Sequence, residues 1–342
     1  MLLKTLSYSA LCAGLFVGGL SLFAPATEAC IHPAKTFEYP LRAGAQRGII
    51  FFHDGREELI LRPSYQVEVD KSKIREDGTL PGLSTLAWIV PLPSLPDRYT
   101  EADDSLVTDL QKFAAVETDR QWRGGAAKGA DRKNPSPAED GAEFHEEVKV
   151  GNYTIQPIKA SGEKGGIELN AWLDENGFGK VADATLKHYL DKGYYWLAVK
   201  LHKSEGLPAN GTVKPLQISF ATDKPVYPLK INAGRGTIDL EMWLFIKQKL
   251  DVKCLDAYGL WLAETEPTMG DGAVQKNRET AFDKLPESAR KALEGAMEQQ
   301  KSLRPLKEGP LYCYRVFGQN LDEGGKLSKL DKDLEFRFEA AK

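Results

Sequence analysis

Histidines beside carboxylates are the first residues in this chain whose types could support acid–base or metal chemistry. His145-Glu146-Glu147 begins like the zinc-binding helix of a metallopeptidase, but that helix needs a second histidine four residues later, and position 149 is Lys. We interpret the segment as the solvated start of a strand. His53-Asp54 could be a base with its orienting carboxylate, yet Asp54-Gly55 is also a tight-turn dipeptide, and we predict the turn.

The remaining histidines indicate no metal centre. His188 and His202 flank a helix–strand unit and could meet in space, but two histidines without a Cys or a third ligand make a weak site. His32 adds nothing to them. A Gly-x-Ser-x-Gly elbow, a phosphate-binding glycine loop and a dinucleotide fingerprint are all missing from the sequence. We expect neither a metal nor a cofactor.

Carboxylates far apart in the chain leave an enzymatic alternative open. A secreted hydrolase could draw its acid and base from residues that only the fold brings together. The candidates are Asp103, Asp104, Asp239 and Glu241.

The string Trp88-Ile89-Val90-Pro91-Leu92-Pro93 is the most distinctive candidate for binding. Pro91 and Pro93 cannot donate hydrogen bonds to a neighbouring strand, so the strand must end or lie at a sheet edge there. An exposed edge formed by Trp88, Pro91 and Pro93 could bind a ligand or a peptide. The alternative is that these prolines simply terminate a core strand.

The elements that position these residues alternate in the manner of strands. Apolar residues recur at every second position in Tyr195–Leu201, Leu216–Phe220, Tyr227–Ile231 and Ile238–Ile246. Because Asp239 and Glu241 would occupy a polar face, the pattern is typical of antiparallel sheets. Asp54-Gly55 and Gly151-Asn152 predict two hairpins.

Helical spacing interrupts the strands. Leu106, Leu110 and Phe113 predict one helix, and glycines at 177 and 193 close two short ones. Pro286 begins a polar, solvent-facing helix near the C-terminus. We therefore predict an α+β fold, a mainly antiparallel β-sheet with short helices between strands and a helical C-terminal segment.

Composition divides the chain into five parts. Residues 1–29 read as a signal peptide, 30–123 as a β-rich part of one domain, 124–141 as a flexible low-complexity loop, 142–253 as the α+β part of the same domain and 254–342 as a helical extension. The net charge of −4 and the lack of a basic cluster argue against a nucleic-acid partner.

The signal-peptide interpretation rests on Lys4, the apolar run 6–23 and the small residues that end at Ala29. An uncleaved membrane anchor is the alternative, since 18 apolar residues approach the length of a bilayer span. Cleavage after Ala29 makes Cys30 the first residue, either as a free thiol or as a lipid attachment site. Membrane contact is expected only if Cys30 is lipidated or the signal is retained.

Three cysteines remain after cleavage, and an odd number outside the cytoplasm needs an explanation. Cys254 follows the last alternating strand, and Cys313 lies in the apolar run Leu311–Phe317, which could pair beside it. We predict a Cys254–Cys313 disulfide. In the chain-entropy model, closing this loop would stabilise the folded protein by about 4 kcal/mol.

Several segments resemble a known bacterial family. They include Phe51-Phe52-His53-Asp54-Gly55, Leu86 to Pro93, Gly151-Asn152-Tyr153 and Gly193 to Lys200. Together they are similar to the family called domain of unknown function 2330, over roughly residues 30–245. The resemblance implies an exported bacterial protein with no assigned catalytic residue.

These observations favour an exported protein, periplasmic or extracellular, that binds a protein partner or a surface polymer and catalyses no reaction. The secreted carboxylate hydrolase is the alternative.

Overall fold

The computed structural model describes residues 31–115, 140–262 and 278–340. The signal peptide, Cys30 and residues 124–139 of the predicted loop lie outside these ranges, so those expectations stay predictions.

Strands dominate the described residues. They are β1 (Ile31–Pro33), β2 (Leu41–His53), β3 (Arg56–Val67), β4 (Thr85–Leu92), β5 (Arg98–Glu101), β6 (Gly141–Phe144), β7 (Val148–Val150), β8 (Tyr153–Ser161), β9 (Tyr195–His202), β10 (Asn210–Thr212), β11 (Leu216–Ala221), β12 (Val226–Tyr227), β13 (Ile238–Ile246), β14 (Trp261–Leu262), β15 (Arg278–Ala281), β16 (Pro310–Leu321) and β17 (Leu334–Glu335). The α-helices are α1 (Leu106–Ala115), α2 (Gly162–Glu175), α3 (Asp183–Asp191) and α4 (Glu287–Gln299).

These strands form two large sheets. The first sheet has the order β1-β4-β9-β8-β6, with β7 also on β8. The second has the order β14-β16-β13-β2-β3-β11-β5, with β10 on β3 and β15 on β16. Every pairing in them is antiparallel except that of β2 with β13. The α+β class and the mainly antiparallel character predicted above are confirmed.

The two predicted hairpins are present. In the first, His53 pairs with Arg56, and Asp54 and Gly55 adopt φ angles of 44° and 73°. These positive values are those that a two-residue turn with the twist of the flanking strands requires. In the second, Val150 pairs with Tyr153 around Gly151, whose φ is 55°.

Three apolar clusters stack the elements into four layers. The largest lies between the two sheets and includes Phe52, Leu61, Trp88 and Tyr153. A second cluster lies between the outer face of the second sheet and α1 with α4. A third packs α2 and α3 on the outer face of the first sheet. Helices therefore cover each sheet on its outer side.

Helix cover explains why strand β13 departs from its predicted pattern. Asp239 is exposed, as expected, but Trp243 and Phe245 on the same face are fully buried against the helix layer. Both faces of the strand are thus largely apolar, as in strands buried on both sides. Alternation with one polar face was the wrong prediction for the second half of this strand.

The C-terminal segment is not a helical extension. It contains α4, but also the twelve-residue strand β16, which pairs with β13 from Ile246↔Tyr312 to Ile238↔Leu321. Helix α4 is not solvent-facing on all sides either, since Leu293 and Met297 are buried. Residues 278–340 therefore complete the second sheet and cover it.

One predicted strand is largely replaced by a turn. Of Tyr227–Ile231, only Tyr227 belongs to a strand, the two-residue β12, and Lys230–Asn232 forms a 3-10 turn. The alternating apolar residues there are buried because the turn packs between the sheets and the C-terminal segment.

Candidate functional site

Strand register places three arginines around one glutamate on the outer face of the second sheet. Arg47 of β2 is the direct partner of Arg62 on β3 and of Glu241 on β13. Arg315 of β16 pairs with Trp243, two residues beyond Glu241. Because direct partners share a face, these side chains lie together. We call Arg47, Arg62, Arg315 and Glu241 the arginine patch.

Glu241 is the organising acceptor of the arginine patch. Its Oε1 accepts from Nε and Nη2 of Arg315 at 3.1 and 2.6 Å, and its Oε2 accepts from Nε of Arg47 at 3.2 Å. Gln111 of α1 donates to the same Oε2 at 2.9 Å. The glutamate side chain is only 10% exposed, so these charge-assisted bonds satisfy a carboxylate largely removed from water.

Aromatic rings hold Arg315 in place. Its guanidinium carbon lies 5.5 Å from the centroid of the Trp243 ring and 4.8 Å from that of Phe317. Contacts of this kind attract a cation to the ring face. Arg315 is therefore a positioning residue for Glu241 and, through it, for Arg47.

Arg47 and Arg62 retain donors that face solvent. In the described part of the chain, Arg47 is bound through Nε, to Glu241, and Arg62 through Nη1, to the main-chain oxygen of Asp104 at 3.0 Å. Among the described residues, their other terminal nitrogens have no partner and are not buried. Burial lowers the pKa of Arg62, with the nearby Asp104 acting in the opposite direction.

The patch carries excess positive charge. Three guanidinium groups against Glu241 leave two positive charges, or one when the exposed Asp104 is included. This excess occurs in a chain whose net charge is −4. Paired guanidinium groups with free N–H edges match the geometry of carboxylate and phosphate oxygens.

A small cleft lies at the seam between the sheets, on the face of the second sheet opposite the arginine patch. Its accessible volume is about 40 Å³, and Arg47 and Arg62 belong to its lining although their side chains point to the opposite face of the second sheet. The rest of the lining is mainly apolar: Ile31, Leu61, Pro63, Trp88, Ile89, Val90, Tyr227, Pro228 and Ile231, with the amides Gln46 and Asn232. Gln46 donates to Asn232 at 2.8 Å and accepts from Tyr227 Oη at 2.9 Å, which ties two walls together.

The predicted binding edge is only partly an edge. Trp88 is 4% exposed and packs edge-on to Tyr153 in the core, so it is not an exposed contact residue. Pro91 is buried opposite Trp196, and Pro93 follows the end of the strand. Along β4, the partner strand β1 reaches only Trp88, so residues 89–92 have no partner on that side among the described residues.

The histidines make no common site. His53 contacts the main-chain oxygen of Ser302 at 2.8 Å, and the turn interpretation of Asp54 holds. His145 lies in the connection between β6 and β7 and is half-buried, so the predicted strand begins only at Val148, after this segment. His202 contacts Thr85, whereas His188 packs against Tyr189.

Burial and the neighbouring Arg235 lower the pKa of His32 to about 4, so this imidazole is neutral at physiological pH.

The four candidate carboxylates of a hydrolase are engaged separately. Asp103 accepts from the amide of Ser105, which lowers its pKa and suits a turn rather than a general acid. Asp239 accepts from the amide of Asn320. Asp104 serves Arg62 through its main chain, and Glu241 is saturated by arginines and Gln111. No hydrogen bond joins any two of the four in the described part of the chain.

The predicted disulfide is not present. Cys254 is a free, buried thiol in the cluster between the sheets, and burial raises its pKa. Cys313 lies in the cluster beneath the helices, on the opposite face of the second sheet. Strand β16 alternates, so Tyr312 and Tyr314 face the inter-sheet cluster and Cys313 faces away from it. Cys30 lies outside the described residues.

Two buried carboxyl groups stabilise the junction of the C-terminal segment. Glu57 accepts from the amide of Val226 at 2.8 Å, and burial raises its pKa well above the ordinary value. Asp333 accepts from Tyr189 Oη and the amide of Lys230, and burial raises its pKa to about 6. Neither carboxyl group lines the cleft.

Within residues 31–115, 140–262 and 278–340, no three His, Cys, Asp or Glu side chains are grouped to hold a metal. None of the helices described there is long and apolar enough to cross a membrane.

Two stacked sheets with helices on their outer faces define an α+β sandwich. The chain belongs to the bacterial family described as "Uncharacterized protein conserved in bacteria (DUF2330)", which matches residues 71–259, more than half of the chain. The resemblance drawn from the sequence is thereby confirmed. The match includes Glu241. Arg47 and Arg62 precede the matched residues, and Arg315 follows them.

Comparison with solved structures finds the crystal structure of baculovirus P35, with a TM-score of 0.38 and 10% identity over 88% of this chain and 98% of that chain. No curated protein matches the chain.

Sequence reasoning missed the arginines of the patch. They are separated by up to 268 positions, from Arg47 to Arg315, and no local motif links them. Glu241 was singled out as a carboxylate, but as a hydrolase candidate. The only local signal was an isolated acidic residue on a strand whose following residues are apolar.

Proposed function

We propose that this chain is an exported, non-catalytic envelope or extracellular protein that binds an anionic partner or surface polymer through the arginine patch. The observation that carries the proposal is the pair Arg47 and Arg62, which lie side by side and whose other terminal nitrogens have no partner within residues 31–115, 140–262 and 278–340. Glu241 restrains Arg47 from one side, so less side-chain freedom is lost when an anion binds. Export is supported by the N-terminal residues 1–29 alone.

A polyanion titration tests binding. Purified protein lacking residues 1–29 is titrated calorimetrically with poly-L-glutamate and with polyphosphate at low and high salt. Each charge-assisted hydrogen bond contributes about 1.5–3 kcal/mol, so replacing both Arg47 and Arg62 by Met should weaken binding by tenfold or more. Salt should weaken binding to the unaltered protein, because the contacts are ionic.

Arg42→Met is the matched control. Arg42 lies on the same strand and is 72% exposed in a surface pair with Glu68, so its loss should leave the affinity nearly unchanged. Equal affinity of the double Met variant and the unaltered protein would contradict the proposal. Export is tested separately by the intact mass of the protein recovered from the periplasm or medium: residues 1–29 should be missing.

A further inference from the structure

The arginine patch continues sideways into two aromatic residues on the same face of the second sheet. Trp261 of β14 is the direct partner of Phe317 on β16, Phe317 is the partner of Glu241, and Glu241 is the partner of Arg47. Arg47 in turn pairs with Arg62. Because direct partners share a face, the five side chains form one line across β14, β16, β13, β2 and β3. We call this line the transverse row.

Both ends of the transverse row are accessible to a ligand. At one end, Trp261 is 43% exposed. The next residue, Leu262, packs on the cluster between the sheets, so alternation along β14 turns the indole of Trp261 outward. Phe317 is half-buried, with the Arg315 guanidinium over its ring. At the other end, the two remaining arginines carry terminal nitrogens that have no partner among the described residues.

Strand spacing fixes how far apart the two ends are. Neighbouring strands lie about 4.8 Å apart, so the main chain at Trp261 is about 14 Å from that at Arg47 and about 19 Å from that at Arg62. A single small anion cannot contact both the indole and the arginines. A ligand that uses the whole row is therefore a chain of several units, with an apolar ring face at one end and an anionic group at the other.

Polar residues near Trp261 indicate which kind of unit lies on the indole. Asp239, two residues before Glu241, is exposed, and its carboxylate accepts from the amide of Asn320 at 2.9 Å. Gln319, two residues beyond Phe317, is exposed as well. Asp239 repels an anion at this end of the row, whereas both side chains can accept hydrogen bonds from hydroxyl groups. The aromatic end therefore suits an uncharged unit that combines hydroxyl groups with an apolar face.

A neutral sugar has this combination. The C–H groups on one face of a pyranose ring are apolar and pack on the electron-rich face of an aromatic ring, while the hydroxyl groups at its rim form hydrogen bonds. A carboxylated sugar further along the same chain would present its oxygens to the guanidinium edges of Arg47 and Arg62. An acidic peptide would supply the carboxylates but not the hydroxyl-rich ring.

We propose that the anionic partner of this patch is an acidic polysaccharide that contains both neutral and carboxylated sugars. A neutral sugar lies on Trp261, and a carboxylate binds Arg47 and Arg62. The inference rests on the proposed function, because it assigns the anion to the same patch. It adds a specificity that an electrostatic patch lacks, since affinity depends on an aromatic residue that carries no charge.

Calorimetric titration with an octasaccharide of alternating N-acetylglucosamine and glucuronate tests the inference. Trp261→Ala should weaken binding of this octasaccharide about fivefold to tenfold, the effect of losing roughly 50 Å² of apolar contact. Trp261→Phe keeps an aromatic face and should restore most of the affinity. Poly-L-glutamate, which has no sugar ring, should bind the Trp261→Ala protein as tightly as the unaltered protein.

Phe144→Ala is the matched control, because Phe144 is also 43% exposed but belongs to β6 of the first sheet. This variant should bind the octasaccharide with unaltered affinity. A neutral oligomer of N-acetylglucosamine should bind far more weakly than the octasaccharide, since it lacks the carboxylates.

Four results would overturn the inference while the polyanion result stands. They are full octasaccharide affinity in Trp261→Ala, an equal loss of poly-L-glutamate affinity in that variant, equally tight binding of the neutral oligomer, and binding of poly-L-glutamate without binding of the octasaccharide. The second of these would favour an acidic peptide. Failure of every polyanion, with or without sugar rings, would remove the proposed function as well.

Discussion

Arg315 and Glu241 are joined by two hydrogen bonds to a single oxygen, with Nε and Nη2 of the arginine 3.1 and 2.6 Å from Oε1. The other oxygen of the same carboxylate binds Arg47 and Gln111. One glutamate thus connects strands β2, β13 and β16 with helix α1. The pairing makes Glu241 the structural centre of the arginine patch.

Replacing Glu241 by Gln should destabilise the protein. Glutamine replaces one acceptor oxygen by an amide nitrogen that donates, so it cannot accept hydrogen bonds from both arginines in the same way. The negative charge that balances the arginines is also lost, and we expect the free energy of unfolding to fall by about 1–3 kcal/mol. Urea unfolding measures the loss. Glu68→Gln, which removes an exposed pair with Arg42, should change stability by less than about 1 kcal/mol. Identical unfolding midpoints for the two variants would contradict this assignment.

Glu57 should make stability fall as the pH rises. Its pKa is raised in the folded state, mainly by burial, so above the ordinary value of 4.5 the unfolded chain releases a proton that the folded chain keeps. The stabilisation from protonated Glu57 is fully present below the pKa of the unfolded chain. As the pH rises from that pKa to the higher pKa of the folded protein, it is lost by about 1.4 kcal/mol per pH unit. Glu57→Gln keeps an acceptor for the Val226 amide and removes the titration.

Urea unfolding of both proteins is measured from about pH 4 to about pH 8, a range that includes the ordinary pKa of glutamate. The difference in stability between Glu57→Gln and the unaltered protein should shift in favour of the variant as the pH rises. A difference that stays constant over this range would show that Glu57 is not the titrating group. Asp333, with a pKa raised to about 6, remains in both proteins and contributes equally to each.

Strand β16 should be essential for folding. Val316 is fully buried between the sheets, and an aspartate there would place an unpaired charge in the largest cluster, which costs several kcal/mol. We expect Val316→Asp to yield insoluble or unfolded protein. Gln319→Asp, at an exposed position of the same strand, should fold normally. If the Val316→Asp protein is soluble and unfolds cooperatively, β16 is not essential for folding and the C-terminal segment is a dispensable extension.

Cys254 should be recovered as a free thiol. It is 4% exposed, so it should resist alkylation in the folded protein and react fully in denaturant without reductant. Peptide mapping under non-reducing conditions makes the measurement. A Cys254–Cys313 cross-linked peptide from exported protein would show that the two faces of the second sheet are arranged differently from this structure.

Local patterns in the sequence determined the parts of this protein that depend on near neighbours. The hairpin at Asp54-Gly55, strands β9 and β11 and the helices that end before Gly177 and Gly193 all follow from turn residues and periodicity. The family resemblance was also visible in these short segments. Each such signal spans only a few residues, which is why it can be read without the fold.

Only the tertiary structure decided which faces of the strands are buried, and with that the site. Helix cover buries Trp243, a parallel pairing sets Arg47 beside Glu241, and β16 brings Arg315 from the far end of the chain. The same layering separates Cys254 from Cys313. Contacts between residues so far apart in the sequence depend on the order of the strands in the sheet. The alternation of residues along one strand carries no information about which strand lies next to it.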